Sequence, residues 1–197
     1  MSGTPVQPMM QRRVTKAEFW ALPEGPPHFE FEDGVLIPMP SPHGRHQDIA
    51  SALARALQVY VVRNGLGRCW IAIDVDLTEK LTYVPDLVFL TTDNLPRYSE
   101  QSGKIHGAPD LAIEIVSRSH PGRDRVTKFN NYLASGVAWY WLIDAESLVQ
   151  EEYHAESGRY SRTTAAEVGE PFRPSVFPGF ELNLKTLLEE QGVIVSS

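Results

Sequence analysis

Two short apolar stretches of this chain each carry one acidic residue, and this pattern constrains the fold more than any other. Residues 84–90 contain Asp86 directly after Pro85, and residues 111–117 contain Glu114. Apolar runs of this length, rich in β-branched residues, are typical of buried strands. An ionised carboxylate in a buried strand is unfavourable unless a basic side chain, a proton or a metal ion compensates its charge. The sequence therefore predicts two buried strands whose carboxylates need a cation.

Composition narrows the class of protein. The chain has 197 residues, enough for one domain with its own core. No apolar stretch approaches the length of a membrane span, and residues 1–10 lack the pattern of an export signal, so we expect a cytoplasmic protein without membrane contact. The single cysteine, Cys69, excludes an intramolecular disulfide and is predicted to be a small core residue on a strand.

The net charge of −7 argues against a simple nucleic-acid-binding protein. Proteins that hold nucleic acid usually carry an excess of Lys and Arg, because neutralising phosphates contributes most of their affinity. An acidic average can still coexist with a local basic cleft. The charge therefore lowers the expectation of a DNA partner without excluding it.

Periodicity predicts a mixed α/β (α+β) fold, in which a mixed β-sheet is flanked by helices. We expect a flexible tail over residues 1–13 and a single domain over residues 14–197. The predicted helices are a short one capped by Thr15 and Glu18 and others at 44–63, 124–135 and 184–190. The predicted strands are a hairpin at 29–39 and runs at 68–78, 84–90, 111–117, 139–144, 149–154 and 159–163, with a long surface loop over 91–108.

Several motifs, in this order, resemble the Uma-type restriction endonuclease family, a bacterial branch of the PD-(D/E)XK nuclease superfamily. The matching pieces are residues 29–34, 39–42 with His46, Pro85-Asp86, 109–117, Asp124, Lys128, Tyr132 and 136–144. The resemblance extends from about residue 14 to about residue 184. It implies a restriction-endonuclease-like core and a metal-dependent endonuclease that hydrolyses phosphodiesters.

The resemblance also implies a set of site residues. Asp86, Glu114 and the backbone carbonyl of Ile115 would bind Mg²⁺ or Mn²⁺, which prefer oxygen ligands. The common motif of the superfamily has a lysine two residues after the Glu, where this chain has Val116. Lys128, on the next predicted helix, resembles the replacement lysine that some branches use.

Glu30 resembles the acidic residue of the superfamily's first element, which contacts the metal directly or through water. Residues 124, 128 and 132 lie four apart, so one helix face would carry Lys128, and the face with Val126 and Phe129 would pack on the sheet.

Each candidate also has a purely structural explanation. Asp86 would then only cap the entry to its strand, Glu114 would only pair with Lys128, and Glu30 would be solvated. Glu32 is assigned to solvent, and the same is expected of other polar-face carboxylates, Asp74 and Asp76. His46 is predicted to be a polar anchor near the cleft.

The run Trp139-Tyr140-Trp141 places large aromatic side chains on both faces of one strand. Such a run indicates either a surface that pairs two copies of the chain, giving a homodimer, or a core strand covered on both faces.

Two functions of different classes follow. The first is a metal-dependent nuclease acting on DNA. The second is a protein that keeps the nuclease fold and serves as a binding or assembly module without turnover.

Overall fold

Two β-sheets organise the chain. The computed structural model describes residues 13–23, 25–41, 43–116 and 122–195, in which twelve strands form two six-stranded sheets. The first sheet, in the order β2-β1-β5-β4-β8-β7, contains β1 (Phe29–Glu32), β2 (Val35–Pro38), β4 (Val75–Thr78), β5 (Leu81–Tyr83), β7 (Tyr98–Ser99) and β8 (Lys104–His106). The second sheet, in the order β12-β11-β10-β9-β6-β3, contains β3 (Gly67–Ile71), β6 (Leu87–Thr91), β9 (Leu111–Val116), β10 (Trp139–Asp144), β11 (Gln150–Glu156) and β12 (Arg159–Ala166).

The helices of the described residues surround these sheets. They are α1 (Lys16–Trp20), α2 (Gly44–Arg63), α3 (Phe129–Ala134) and α4 (Leu184–Glu190), with a 3₁₀ helix at Thr92–Arg97 and a π-helix at Arg123–Lys128. The bounds of α2 and α4 confirm the predictions for 44–63 and 184–190. None of these helices combines the length and the apolar character needed to cross a bilayer.

The N-terminal part of the described chain follows its local signals. Thr15 caps α1 by accepting a hydrogen bond from the backbone N–H of Glu18, whose side chain in turn accepts one from the N–H of Thr15. The predicted hairpin forms around Asp33 and Gly34, which both have positive φ angles. The predicted tail over residues 1–13 lies outside the described residues except at Arg13, which forms an antiparallel bridge with Val35.

The second sheet separates two hydrophobic layers. On one face, Leu111, Ile113 and Ile115 of β9 pack in a cluster with α2 and α4. On the other face, Ala112 and Val116 pack in a cluster with α3 and the first sheet. Glu114 lies between Ala112 and Val116 and therefore points into the second layer. This layering confirms the mixed α/β prediction and places the acidic residue of β9 between the two sheets.

The prediction of one strand over residues 68–78 is wrong. The segment contains β3 of the second sheet and β4 of the first sheet. The chain breaks at Ala72, which has a φ of 46°, and Ile71, expected to face inward, is 49% exposed. The alternation of apolar residues continues on both sides of the break, so its period of two could not reveal the change of sheet.

The prediction of a long loop over residues 91–108 is also wrong. The segment forms the 3₁₀ helix and the β7–β8 hairpin, and Ile105 of β8 is completely buried. Parallel pairing of β8 with β4 extends the first sheet. Strands of two and three residues are too short to show a periodic pattern, which explains the error.

The aromatic run of β10 belongs to the core. Trp141 is completely buried in the layer beside α2, where its ring contacts Phe172 edge-to-face. Tyr140 is completely buried in the opposite layer beside α3. The core alternative is therefore the correct one of the two. The aromatic run therefore does not form the exposed surface on which the prediction of a homodimer was based, and the homodimer stays a prediction.

Cys69 is buried in the layer beside α2, as predicted. Burial raises the pKa of its thiol to about 12, so the thiolate is not populated at neutral pH. The residue packs as a small apolar side chain and is not a candidate nucleophile.

Candidate active site

Asp86 lies at the point where β6 begins. It precedes Leu87, the first residue of β6, and does not lie within the strand as predicted. Its side-chain Oδ2 accepts a hydrogen bond of 2.7 Å from the backbone N–H of Ile115 in the neighbouring strand. Leu87 pairs with Ile113 in the antiparallel register, so the next position along places Asp86 opposite Glu114.

His46, in the first turn of α2, also contacts the carboxylate of Asp86. Its Nε2 lies 3.1 Å from each carboxylate oxygen of Asp86. Both side chains are only partly buried, at 17% and 20% exposed. The predicted role of His46 as a polar anchor agrees with this contact.

Glu114 is buried in the second layer, where Lys128 of the π-helix and Tyr132 of α3 contact its carboxylate. Its Oε1 accepts hydrogen bonds from Lys128 Nζ at 2.9 Å and from the Tyr132 hydroxyl at 2.7 Å. Lys128 is itself 5% exposed. Burial and the charge of Glu114 raise the pKa of Tyr132 well above its usual range, so its hydroxyl stays protonated and donates. The expected pairing of Glu114 with Lys128 is therefore present, and Tyr132 is an added partner.

Glu30 of β1 reaches the same lysine. Its Oε1 accepts from Lys128 Nζ at 2.9 Å and from the backbone N–H of Val84 at 3.1 Å. Its Oε2 accepts from Arg123 Nη2 at 2.6 Å. The side chain is 3% exposed, so the solvated alternative for Glu30 is wrong. A hairpin residue became buried because the second sheet and the π-helix cover this face of β1.

Glu32, two residues further along β1, joins the same network. Arg123 Nη1 lies 2.7 Å from Glu32 Oε1, and the Tyr83 hydroxyl donates to that oxygen at 2.6 Å. Asn131 of α3 donates to the Tyr83 hydroxyl in turn. The assignment of Glu32 to solvent is therefore wrong. Its side chain is 19% exposed, and a cation that sequence reasoning did not identify, Arg123, joins it to Glu30.

The helix that carries Lys128 differs from its prediction. A regular α-helix over residues 124–135 would bury Val126, but Val126 is 58% exposed. The π-helical turn rotates the following residues, so that Lys128 and Tyr132 face the sheet. Residues 117–121 and the side chain of Asp124, which the family motif includes, lie outside the described part of the structure.

Asp74 and Asp76 were expected to be exposed, and this is wrong. Asp76 forms an ion pair with Lys16 and accepts a hydrogen bond from Thr82, and its side chain is 20% exposed. Asp74 lies 3.7 Å from Lys104, and burial raises its pKa above the ordinary value. Asp76 therefore links α1 to the first sheet, and Asp74 links β8 to the segment before β4 within that sheet.

The donors around Asp86 fit a hard divalent cation. Asp86, directly before β6, and Glu114, in the neighbouring β9, supply carboxylate oxygens. The N–H of Ile115 points to Asp86, and in an extended strand the carbonyl of the same residue points to the same side. Among the described residues, no group of three or more His, Cys, Asp and Glu side chains has the geometry of a metal site. Carboxylate and carbonyl oxygens are the ligands that Mg²⁺ and Mn²⁺ prefer, and Mg²⁺ retains several waters when a protein supplies few ligands.

Asp86 before β6, Glu114 in β9 and Lys128 from the π-helix thus lie together beside one mixed sheet. The chain belongs to the family described as "Uma2: Putative restriction endonuclease", whose profile matches residues 17–185. Comparison with curated proteins gave no match.

A solved structure shares the fold. It is described as a putative nuclease belonging to DUF820 from Anabaena variabilis ATCC 29413, and it is 24% identical to this chain. The likeness covers 89% of this chain and 98% of the other, with a TM-score of 0.71. The predictions of the family and of the fold class are thus confirmed.

Glu30 provides a prediction about acid stability. Burial alone would raise its pKa, but the charges of Lys128 and Arg123 outweigh burial and lower the pKa below its ordinary value of 4.5. A lowered pKa means that Glu30 stabilises the fold above about pH 4.5, and that this contribution is lost as the pH falls through the folded-state pKa. Urea unfolding measured between pH 3 and 7 should therefore show that the free energy of unfolding falls more steeply with decreasing pH in the wild type than in Glu30→Gln. The same decrease of the free energy of unfolding in both proteins at acid pH would contradict this prediction.

Proposed function

We propose that this protein is a metal-dependent nuclease that hydrolyses phosphodiester bonds, with DNA as its substrate. The observation that carries the proposal is the placement of Asp86 opposite Glu114, with Lys128 held against Glu114 at 2.9 Å. Membership of the restriction endonuclease family supports the same class of reaction.

Each residue has a defined part in this proposal. Asp86, Glu114 and the carbonyl of Ile115 would hold Mg²⁺ or Mn²⁺. When bound, the ion would lower the pKa of a coordinated water and stabilise negative charge on the phosphate. His46 keeps the carboxylate of Asp86 oriented through its 3.1 Å contacts. Lys128 supplies a buried positive charge beside the reacting group, where a fixed cation is most effective.

A non-catalytic binding or assembly module is the second candidate. Two observations favour it: the net charge is −7, and Lys128 already compensates Glu114 within the protein. A homodimer would fit the nuclease, because enzymes that cut both strands commonly pair two sites by a two-fold axis.

Cleavage of supercoiled and single-stranded DNA in the presence of Mg²⁺ or Mn²⁺ separates the two functions. We expect the wild type to cleave, chelation by EDTA to stop cleavage, and Asp86→Ala to be inactive. Asp93→Ala is the matched control, because Asp93 is an exposed aspartate at the 3₁₀ helix. A purified wild type that cleaves neither substrate with either ion would leave the binding module as the function.

Metal binding should also stabilise the fold. An ion that binds only the native state adds about 2.7 kcal/mol to the free energy of unfolding at a hundred times its Kd. Thermal melts with and without millimolar Mg²⁺ or Mn²⁺ should show a higher melting temperature for the wild type and no increase for Asp86→Ala. An unchanged wild-type melting temperature, with no heat of binding in calorimetry, would count against the metal.

A further inference from the structure

Glu30 is held by cations on both of its oxygens. Lys128 Nζ lies 2.9 Å from Oε1, and Arg123 Nη2 lies 2.6 Å from Oε2. The backbone N–H of Val84 also donates to Oε1. Two positive charges in direct contact would repel a divalent ion from this carboxylate, since charges at such distances in a buried site are weakly screened. The surroundings of Glu30 therefore differ from those of Asp86, whose partners are a histidine and a backbone N–H.

The π-helix explains how two cations of one helix reach one carboxylate. Arg123 and Lys128 are five residues apart, at the two ends of the π-helical segment. In an α-helix, with 3.6 residues per turn, this separation would point them about 140° apart. In a π-helix, the i→i+5 hydrogen bonds bring residues five apart close to one above the other. The unusual turn therefore places both side chains on Glu30, and such turns are frequent at functional sites.

Lys128 bridges two carboxylates as a result. Its Nζ lies 2.9 Å from Glu30 Oε1 and 2.9 Å from Glu114 Oε1. A lysine side chain has a flexible stem and three rotatable donors, so one contact alone does not fix the direction of its ammonium group. The second contact, to the Glu30 carboxylate that Arg123 also binds, fixes the direction of the Lys128 ammonium group. Arg123 is in turn fixed by Glu32 at 2.7 Å.

We propose that Glu30 and Arg123 are positioning residues, which fix the ammonium group of Lys128 against Glu114 and do not bind the metal ion. This inference rests on the proposed nuclease function, because the orientation of Lys128 matters most for a reaction at the neighbouring site. It assigns to Arg123 a role that the sequence did not indicate. It also replaces the expected contact between Glu30 and the metal ion with an indirect role, in which Glu30 acts through Lys128.

The test compares Glu30→Gln and Arg123→Gln with a matched control, Arg125→Gln. Arg125 lies in the same π-helix and also pairs with two carboxylates, at 2.8 Å from Asp144 and 3.7 Å from Glu151, but none of these belongs to the network around Lys128. Asp86→Asn serves as the reference for a lost metal ligand. The measurements are Mn²⁺ affinity by calorimetry, and kcat and KM for cleavage of supercoiled DNA at saturating Mn²⁺.

We expect Glu30→Gln and Arg123→Gln to lower kcat by about 10–100-fold, as losses of supporting contacts commonly do, with Mn²⁺ affinity and KM within about twofold of the wild type. Arg125→Gln should match the wild type, and Asp86→Asn should lose Mn²⁺ affinity. Arg123→Lys, which keeps one of the two ion pairs, should recover part of kcat. It also serves as the second variant if Arg123→Gln folds poorly.

If the wild type cleaves DNA, either of two results would overturn the inference. Glu30→Gln could weaken Mn²⁺ binding as much as Asp86→Asn does, which would make Glu30 a ligand. Alternatively, Arg123→Gln could cleave as fast as Arg125→Gln, which would leave Arg123 with a structural role only. If the wild type does not cleave DNA at all, the proposed function fails. A double-mutant cycle of Arg123→Gln and Lys128→Met, measured by melting temperature, then tests whether Arg123 positions Lys128. A non-additive change in melting temperature supports it, and an additive change overturns it.

Discussion

Replacement of Lys128 by Met is expected to lower the free energy of unfolding by about 3–5 kcal/mol, the usual cost of removing one partner from a buried ion pair. The ammonium group of Lys128 is shared by Glu30 and Glu114, which are 3% and 4% exposed. Without it, Glu114 keeps the Tyr132 hydroxyl but loses its buried cation. Urea unfolding at pH 7 measures the difference.

Lys80→Met is the matched control for this prediction. Lys80 also pairs with a carboxylate, Asp33 at 3.1 Å, but its side chain is 75% exposed. Exposed pairs contribute about 0.2–1 kcal/mol, so Lys80→Met should be nearly neutral. Combining Lys128→Met with Glu30→Gln and Glu114→Gln should recover part of the loss, because no uncompensated carboxylate then remains around position 128. Equal losses in Lys128→Met and Lys80→Met would show that the cluster does not contribute as described.

Replacement of Glu114 by Gln is expected to lower the cleavage rate at least about 100-fold, the scale on which a single stabilising group contributes at a reacting centre. The substitution keeps the shape of the side chain and an oxygen for the Tyr132 hydroxyl, but it removes the negative charge that would attract the metal. Mn²⁺ affinity should fall in the same variant. Cleavage assays at increasing Mn²⁺ concentration measure both effects.

The control for Glu114→Gln is Glu100→Gln, since the side chain of Glu100 is 83% exposed. It should cleave and bind Mn²⁺ as the wild type does. A Glu114→Gln protein with wild-type cleavage would assign Glu114 to the structural ion pair with Lys128 alone, and it would remove the metal site from the proposal. Circular dichroism of both variants shows whether the fold is retained.

Much of the fold was predictable because its signals are local. The stripe of α2 recurs every three to four residues over 20 residues, and the Asp33-Gly34 turn requires a positive φ at both positions. β9 could be recognised from its unbroken apolar run around one carboxylate. The break at Ala72 and the β7–β8 hairpin were missed, because alternation is the same in either sheet and very short strands have no period.

The candidate site was predictable only in part, and for a similar reason. Asp86, Glu114 and Lys128 could be identified from apolar context and from a resemblance carried by motifs in order. Arg123 could not be identified in this way. It lies five residues before Lys128, and residues five apart are not neighbours on an α-helix, so only the π-helical turn brings the two side chains together. The one available signal was indirect: Glu30 and Glu32 share a strand face and need compensating charge if that face is covered.

The sequence by itself determined α2, the hairpin at Asp33-Gly34 and β9, and it determined that the two carboxylates in apolar runs need a cation. Those properties depend on each residue and its near neighbours along the chain. Only the tertiary structure decided which cation each carboxylate receives. Burial of Glu30, its sharing of Lys128 with Glu114 and its contact with Arg123 depend on how β1, β9 and the π-helix pack together. Electrostatic compensation in a buried site depends on distances between segments far apart in sequence, which no local pattern contains.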